Sequence, residues 1–82
     1  MSKIAAAIIT LNEERNIERC LKALVNCVDE IVVLDSFSSD RTAEICAKYK
    51  VRFIQKEWQG YAQSKNELNS LIEADYIFSI DA

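Results

Sequence analysis

Each of four apolar runs in this sequence of 82 residues ends in, or is followed by, polar side chains that are able to bind a ligand. Carboxylate, hydroxyl and amide groups accept hydrogen bonds from sugar hydroxyls and base N–H groups, and carboxylates also bind hard cations. Because ligands of open α/β sheets gather outside the carboxyl ends of the strands, these side chains form the candidate site. The candidates are Thr10 with Asn12 and Glu13, Asp35 with Ser36, the loop "KEWQGY", and Asp81.

The negative charge of a phosphorylated ligand would have to be balanced by something other than a glycine-rich loop. The segment "TLNEE" after the first run contains no Gly, which excludes a GxGxxG dinucleotide fingerprint and a P-loop at this position. The simplest counter-charge is a divalent cation bound to carboxylates such as Asp81. Because the sequence has no His, we expect an ion that prefers oxygen ligands, namely Mg or Mn.

The segment "DSFSSD", which begins at Asp35, combines two carboxylates with three serine hydroxyls. An Asp at the end of a strand is able to accept a hydrogen bond from a base N–H or a sugar hydroxyl, and for Asp35 we favour this ligand contact. For Ser38, Ser39 and Asp40 we favour capping of the next helix and formation of its turn. Lys65 could reach a phosphate from a later helix, although a solvent-facing Lys is the ordinary alternative.

The elements that would position these side chains alternate between strands and helices. The runs "KIAAAIIT", "EIVVLD", "VRFIQ" and "DYIFSID" predict four strands, of which the first two are typical of strands covered on both faces. Apolar residues at helical spacing, Ile17, Leu21 and Leu24, predict a helix between the first two strands. Two further helices are predicted, one in "RTAEICAKYK" and one lined by Tyr61, Leu68, Leu71 and Ile72. This order predicts an α/β fold with a Rossmann-like parallel sheet of about four strands in a three-layer α/β/α arrangement with right-handed crossovers.

Composition indicates one globular domain over residues 1–82, with 50% hydrophobic residues and a net charge of -3. The ten basic residues are scattered among thirteen acidic ones, which argues against nucleic acid as a partner. The short apolar run at the start is interrupted by charge, so we expect a cytoplasmic chain with no membrane span. We interpret Cys20, Cys27 and Cys46 as buried thiols in a reducing compartment, because they lack metal-binding spacing.

Four segments in register resemble the N-terminal, nucleotide-binding half of glycosyltransferase family 2 enzymes with the GT-A fold. They are "AAIITLNEERNIERCLKAL", "EIVVLDSFSSDRTAEI", "GYAQSKNEL" and "ADYIFSIDA", which together cover nearly the whole chain. The pattern "LDSxSxD" and the loop "W-x-G-[FY]" are most similar to the subgroup that adds sugars to the lipopolysaccharide core.

The resemblance implies binding of a nucleotide-diphosphate sugar, with UDP as the expected nucleotide, and its transfer to a saccharide or lipid-linked saccharide in lipopolysaccharide or other cell-envelope glycan synthesis. It implies that Asp35 contacts the uracil or ribose, that Lys65 lies near the diphosphate, and that Asp81 is the first Asp of a DxD motif and binds Mn or Mg. The other residues beside the nucleotide would be Thr10, Asn12, Glu13, Glu14 and Ser36. Ser36 departs from the pattern, since many members have a second Asp there.

The resemblance also implies that the chain ends before the second acidic residue of DxD and before the general base of an inverting enzyme. We therefore expect a truncated domain that is inactive alone, and whose exposed apolar surface promotes self-association. A lipid-linked acceptor would imply association with the inner face of the membrane. The alternative is a non-catalytic α/β module that binds a nucleotide or a regulatory partner.

Overall fold

The computed structural model describes residues 3–57 and 60–81, apart from the side chains of residues 61, 62 and 81. Seven elements alternate along it in the predicted order. The strands are β1 (Ile4–Thr10), β2 (Glu30–Asp35), β3 (Arg52–Gln55) and β4 (Tyr76–Asp81). The helices are α1 (Ile17–Leu24), α2 (Thr42–Cys46) and α3 (Tyr61–Ser70).

The four strands form one parallel sheet in the order β3-β2-β1-β4. The predicted fold class is therefore confirmed. Strand β1 pairs with β2 up to Thr10 opposite Asp35, and it pairs with β4 up to Ile9 opposite Asp81. This register brings the last residues of three strands to the same edge of the sheet, which we call the carboxyl edge.

Alternate residues of the central strands face two separate cores, as expected for strands covered on both sides. Ala6, Ile8, Ile31 and Val33 pack on one face with side chains of α1 and α2. The opposite face is covered by α3 and the turn after it, where Leu68 and Ile72 pack on residues of β1 and β2. The sheet thus lies between two helical layers, as the sequence predicts.

The path of the chain across the sheet reverses after β3. Strands β2 and β3 are added on one side of β1, whereas β4 is added on the other side. Crossovers of constant handedness must then lie on opposite faces, which accounts for the position of α3 opposite α1 and α2. In open α/β sheets a ligand binds where the strand order reverses, here the carboxyl edge between β1 and β4.

Helix α2 is shorter than the segment "RTAEICAKYK" predicts, because it ends at Cys46. The next amides turn more tightly, with the N–H of Lys48 donating to the carbonyl of Ile45 and that of Tyr49 to Cys46. The chain must reverse here to begin β3 at Arg52, and these short-range bonds satisfy the helix end. None of the helices in the described ranges is long and apolar enough to cross a membrane.

Helix α3 begins after Gly60, whose φ of 95° and ψ of 153° lie in a region that is open to Gly and not to other residues. No heavy atom would lie within 4 Å of an added Cβ, so the backbone angle and not crowding explains the Gly.

The three cysteines are free thiols and differ in exposure. Cys46 is buried, as predicted, whereas Cys20 is only half-buried and the prediction is wrong for Cys27, which is exposed. Cys27 lies just beyond α1, on the solvent side of the turn that leads to β2, where it donates to the carbonyl of Ala23. Burial and the nearby charge of Asp35 raise the pKa of Cys46 to about 11.

Candidate functional site

The candidate site is built on Thr10 and Asp35, which end neighbouring strands and are paired in register. Both side chains project towards α1 and α2, because they continue the alternation of Ile8 and Val33. Asp35 is 0% exposed and Thr10 is 1% exposed. The Thr10 hydroxyl donates a hydrogen bond of 2.6 Å to Oδ1 of Asp35.

The Asp35 carboxylate accepts three more hydrogen bonds. The Ser38 hydroxyl donates to Oδ1 at 2.5 Å and the Ser38 amide donates to Oδ2 at 2.8 Å. The Gln55 side chain, at the end of β3, donates to Oδ2 at 3.3 Å. Burial alone would raise the pKa of Asp35, but the hydrogen bonds from Ser38, Thr10 and Gln55 outweigh it and hold the pKa below the ordinary value of 3.8. The carboxylate is therefore a buried anion that joins three strands.

The loop after β1 (residues 11–16) is fastened to the loop after β2 (residues 36–41) and to the start of α2. Three consecutive amides of the first loop donate to side chains of the second segment. The donors and acceptors are Asn12 to Ser38 Oγ at 2.8 Å, Glu13 to Thr42 Oγ1 at 2.9 Å and Glu14 to Asp40 Oδ2 at 3.1 Å. We call these three bonds the loop clasp. Because these bonds use the backbone amides, they hold the backbone of the first loop against the second segment at the carboxyl edge.

Asp40 and Thr42 serve the clasp and the helix at the same time. The amide and hydroxyl of Thr42 donate to Asp40 Oδ1 at 2.9 and 2.5 Å, so Asp40 satisfies the first amide of α2 as a capping residue would. Desolvation would raise the pKa of Asp40, but bonds from Thr42 and Glu14 hold it below its ordinary value. The proposed turn and cap role is thus observed for Asp40. Ser38 donates to Asp35 within the turn after β2, whereas Ser39 donates to Asn12 of the other loop.

Two residues at the carboxyl edge have a left-handed backbone. Asn12 and Phe37 both have a φ of 54°, which is uncommon for residues other than Gly. For Asn12 the conformation is supported by its side chain, since Oδ1 accepts the Ser39 amide at 2.8 Å. Phe37 is 57% exposed. The strain lies where two loops meet at the candidate site.

The remaining predicted site residues are distributed around this centre. The side chains of Asn12 and Glu14 are exposed at the carboxyl edge, and Ser36 is half-buried and donates its amide to the carbonyl of Thr10 at 3.0 Å. Lys65 is half-buried on α3, the helix that covers the face opposite Asp35. Asp81 ends β4 beside Ile9, but its side chain lies outside the described part of the structure.

No group of three or more acidic or cysteine side chains in the described part of the chain is arranged to hold a metal ion. The Asp35 carboxylate does not fit a metal, since all of its bonds come from hydrogen-bond donors of the protein. The metal-binding role of Asp81 stays a prediction, which rests on the preference of Mg²⁺ for one or two carboxylates together with water and substrate phosphates.

Sequence reasoning missed Gln55 and Thr42 at this site. Gln55 ends the third predicted strand, so the rule that strand ends carry the site would have found it. Thr42 carries a weaker signal, a hydroxyl two residues after Asp40. Only the three-dimensional structure reveals that it accepts the amide of Glu13 from another loop.

Two open cavities lie at the opposite, amino edge of the sheet. Their volumes are about 390 and 340 Å³, and Glu30 and Arg52 line both. Lys3 forms an ion pair of 3.4 Å with Glu30, and Arg52 donates to the carbonyl of Leu71. Glu30 is thus paired with Lys3 and Arg52 is hydrogen-bonded within the protein, and the cavities are distant from the carboxyl ends of the strands.

Comparison with known proteins places the chain among glycosyltransferases. The model of the family described as "Glycosyl transferase family 2" matches residues 6–82. An uncharacterized glycosyltransferase of Rickettsia felis is 43% identical over 82 residues, which is all of this chain and 29% of that protein. The lipopolysaccharide core biosynthesis glycosyltransferase LpsC of Rhizobium meliloti is 37% identical, over 96% of this chain and 31% of the relative.

The solved structure of glucosyl-3-phosphoglycerate synthase from Mycobacterium tuberculosis, in complex with Mn²⁺, UDP and glucosyl-3-phosphoglycerate, has a similar fold. The TM-score is 0.81 at 26% identity, over 98% of this chain and 33% of the other. Another structure of that enzyme contains Mg²⁺ and UDP. The present chain therefore spans about a third of the length of each of these proteins.

Proposed function

The chain belongs to glycosyl transferase family 2, and from this premise we propose that it is the donor-binding part of a glycosyltransferase. It would bind a nucleotide-diphosphate sugar, with UDP as the nucleotide, at the carboxyl edge of the sheet. The observation that carries the proposal is the meeting of Thr10 and Asp35 at that edge, with the end of β4 beside them, in a fold similar to that of a UDP-bound enzyme.

In this proposal each predicted residue has a role at the nucleotide. Asp35 accepts a hydrogen bond from the uracil or the ribose, and Thr10 and Ser36 lie beside the nucleotide. Asn12 and Glu14 border the nucleotide from the loop after β1, where the loop clasp fixes their backbone. Lys65 lies near the diphosphate and contributes positive charge.

We propose that Asp81 provides a carboxylate oxygen to a Mn or Mg ion bound to the diphosphate. Support comes from its position at the end of β4 and from the ions in the structures of the mycobacterial enzyme. A divalent ion at this place supplies Lewis-acid stabilisation of the charge on the departing nucleoside diphosphate.

The acceptor in this proposal is a saccharide or lipid-linked saccharide of lipopolysaccharide or another cell-envelope glycan. The name of the Rhizobium relative supports that class. Recognition of the acceptor and the general base would belong to a longer protein, of which residues 1–82 form one partial domain, so we predict no turnover by these residues alone. A lipid-linked acceptor would bring the longer protein to the inner face of the membrane.

The self-association expected from the sequence stays a prediction, and the surface that supports it is the edge strand β4. Tyr76 is 61% exposed and Phe78 is 56% exposed on that strand. A second copy of the chain could cover both rings by pairing with this edge.

The proposal is tested by calorimetric titration of the chain with UDP, in Mn²⁺ and again with a chelator. We expect binding that weakens when the ion is removed, and we expect Asp81→Ala to remove the dependence on the ion. Glu73→Ala is the control, since it deletes an exposed carboxylate after α3, away from the carboxyl edge. Absence of UDP binding by a folded sample, and by a version extended beyond Ala82, would overturn the proposed function.

A further inference from the structure

The carboxylate of Asp35 is buried, and all of its hydrogen-bond acceptor positions are occupied by donors of the protein. Each of its oxygens takes two hydrogen bonds, Oδ1 from the hydroxyls of Thr10 and Ser38 and Oδ2 from the Ser38 amide and the Gln55 side chain. A carboxylate offers about four acceptor positions in total. A ligand donor therefore reaches Asp35 only if one of the four protein donors leaves.

The four donors differ in how readily they could leave. Thr10 is buried on β1, and Ser38 is half-buried and held at both its amide and its hydroxyl, so these bonds of 2.5 to 2.8 Å are part of the fold. The Gln55 bond is longer, at 3.3 Å, and comes from an exposed side chain at the end of β3. Gln55 is also the donor whose side chain could turn to solvent without moving any backbone.

We propose that Gln55 occupies the ligand's position on Oδ2 of Asp35 in the free protein, and that an N–H or O–H group of the bound nucleoside displaces it. The inference rests on the proposed function, in which Asp35 contacts the nucleotide. Gln55 is then a positioning residue for Asp35 that lowers the affinity of the protein for the nucleotide. It keeps the buried carboxylate satisfied when no ligand is bound, and its bond must be given up when the ligand enters.

The sign of this effect makes the inference testable. Gln55→Met keeps a side chain of similar length but removes the donor, so the ligand no longer displaces a hydrogen bond. Since the hydrogen bond from Gln55 is long, at 3.3 Å, and comes from an exposed side chain, its loss should be a modest gain for the ligand, and we expect UDP to bind about three- to tenfold more tightly. Gln63→Met is the matched control, because Gln63 is an exposed residue of α3. This variant should bind UDP with the same affinity as the unchanged chain.

Ligand analogues identify the donor that replaces Gln55. If the uracil imide is the donor, the gain from Gln55→Met should vanish with 3-methyl-UDP. If a ribose hydroxyl is the donor, the gain should vanish with 2′-deoxy-UDP or 3′-deoxy-UDP. A gain that persists with all three analogues would overturn the proposal, because Gln55 would then act without competing for Asp35.

Measurement of side-chain amide signals by NMR in the unchanged chain provides a second test, which does not depend on whether a variant folds. The side-chain amide signals of Gln55 should move towards their solvent positions when UDP binds, whereas those of Gln63 should not. Unchanged or weaker binding of UDP by Gln55→Met, or a stationary Gln55 signal in the complex, overturns the displacement while leaving the proposed function intact. Absence of UDP binding by the unchanged chain, by both variants and by a version extended beyond Ala82 overturns the proposed function and this inference together.

Discussion

The hydroxyl of Thr10 donates a hydrogen bond of 2.6 Å to the carboxylate of Asp35 across the boundary between β1 and β2, and neither side chain is more than 1% exposed. A buried carboxylate costs free energy unless its oxygens are well bonded. Here the bonds connect the ends of three strands and the turn after β2. The Asp35 carboxylate, which the sequence suggests as a ligand contact, thus also holds together the strand ends at the carboxyl edge.

Replacement of Asp35 by Asn should be strongly destabilising. The amide that replaces Oδ2 would point a donor at two other donors, the Ser38 amide and the Gln55 side chain. We expect a loss of about 2–3 kcal/mol in the free energy of unfolding, measured by urea denaturation. Asp75→Asn is the control, because its exposed carboxylate accepts an amide of Lys3 and should cost about 1 kcal/mol or less. Equal losses in the two variants would contradict a special role for Asp35.

The stability of the chain should depend on the charge of Asp35 at acid pH. Its pKa lies below the ordinary value of 3.8 in the folded state, so the unfolded chain takes up the proton first. The contribution is complete above pH 3.8 and is lost as the pH falls through the lower, folded pKa. The pKa of Asp40 is lowered in the same direction. The quantity to measure is therefore the difference in the free energy of unfolding between the unchanged chain and Asp35→Asn. That difference should shrink as the pH falls, and a constant difference would exclude the linkage.

The loop clasp should depend on the hydroxyl of Thr42, which is 0% exposed. Thr42→Val keeps the shape but leaves the Glu13 amide without its acceptor and removes a donor to Asp40. We expect a loss of about 1–3 kcal/mol in the free energy of unfolding. Thr42→Ser retains the hydroxyl and should lose less, through the missing methyl group alone. A larger loss for Ser than for Val would show that packing, and not the hydrogen bond, is what Thr42 provides.

Sequence periodicity predicted the strands to within one residue of their observed ends, because each apolar run is bounded by polar residues and both sheet faces are covered. It overestimated α2, since the tight turn from Ala47 to Lys50 depends on where β3 must start and not on helix propensity. At the site, the strand-end rule found Thr10 and Asp35 but gave no indication that Asp35 is saturated with protein donors. Partners such as Thr42 and Gln55 come from other elements, so only the fold reveals them.

The three thiols should react at different rates, which checks the packing of α1 and α2. Cys27 is exposed, whereas burial raises the pKa of Cys20 despite the opposing charge of Arg19. Cys46 has a pKa of about 11, so only about one thiol in a thousand is ionised at pH 8. We expect a disulfide reagent to label Cys27 first, then Cys20, and Cys46 only after unfolding in urea. Rapid labelling of Cys46 in the folded chain would contradict the described core.

The edge strand β4 provides the last prediction, because it lacks the usual protection against pairing with another chain. Asp75 precedes β4 and Asp81 ends it, but the five residues between them include no charge and no proline, whereas the other edge strand, β3, begins at Arg52 and is followed by Lys56. Charges on an edge strand oppose further pairing, so β4 is the edge where self-association should occur. In an antiparallel pair centred on Phe78, the two Phe78 rings would lie opposite each other, and Tyr76 of each copy would lie opposite Ile80 of the other.

Phe78→Lys should therefore reduce self-association without unfolding the chain, since the side chain is 56% exposed and its loss leaves the core intact. Sedimentation at increasing concentration measures the effect, and we expect the variant to stay monomeric where the unchanged chain associates. Phe37→Lys is the matched control, because Phe37 is equally exposed, at 57%, but lies in a loop at the carboxyl edge. If both variants reduce association equally, exposed apolar surface and not strand pairing is responsible. If the unchanged chain is a monomer at every concentration, the sequence-based expectation of self-association is wrong.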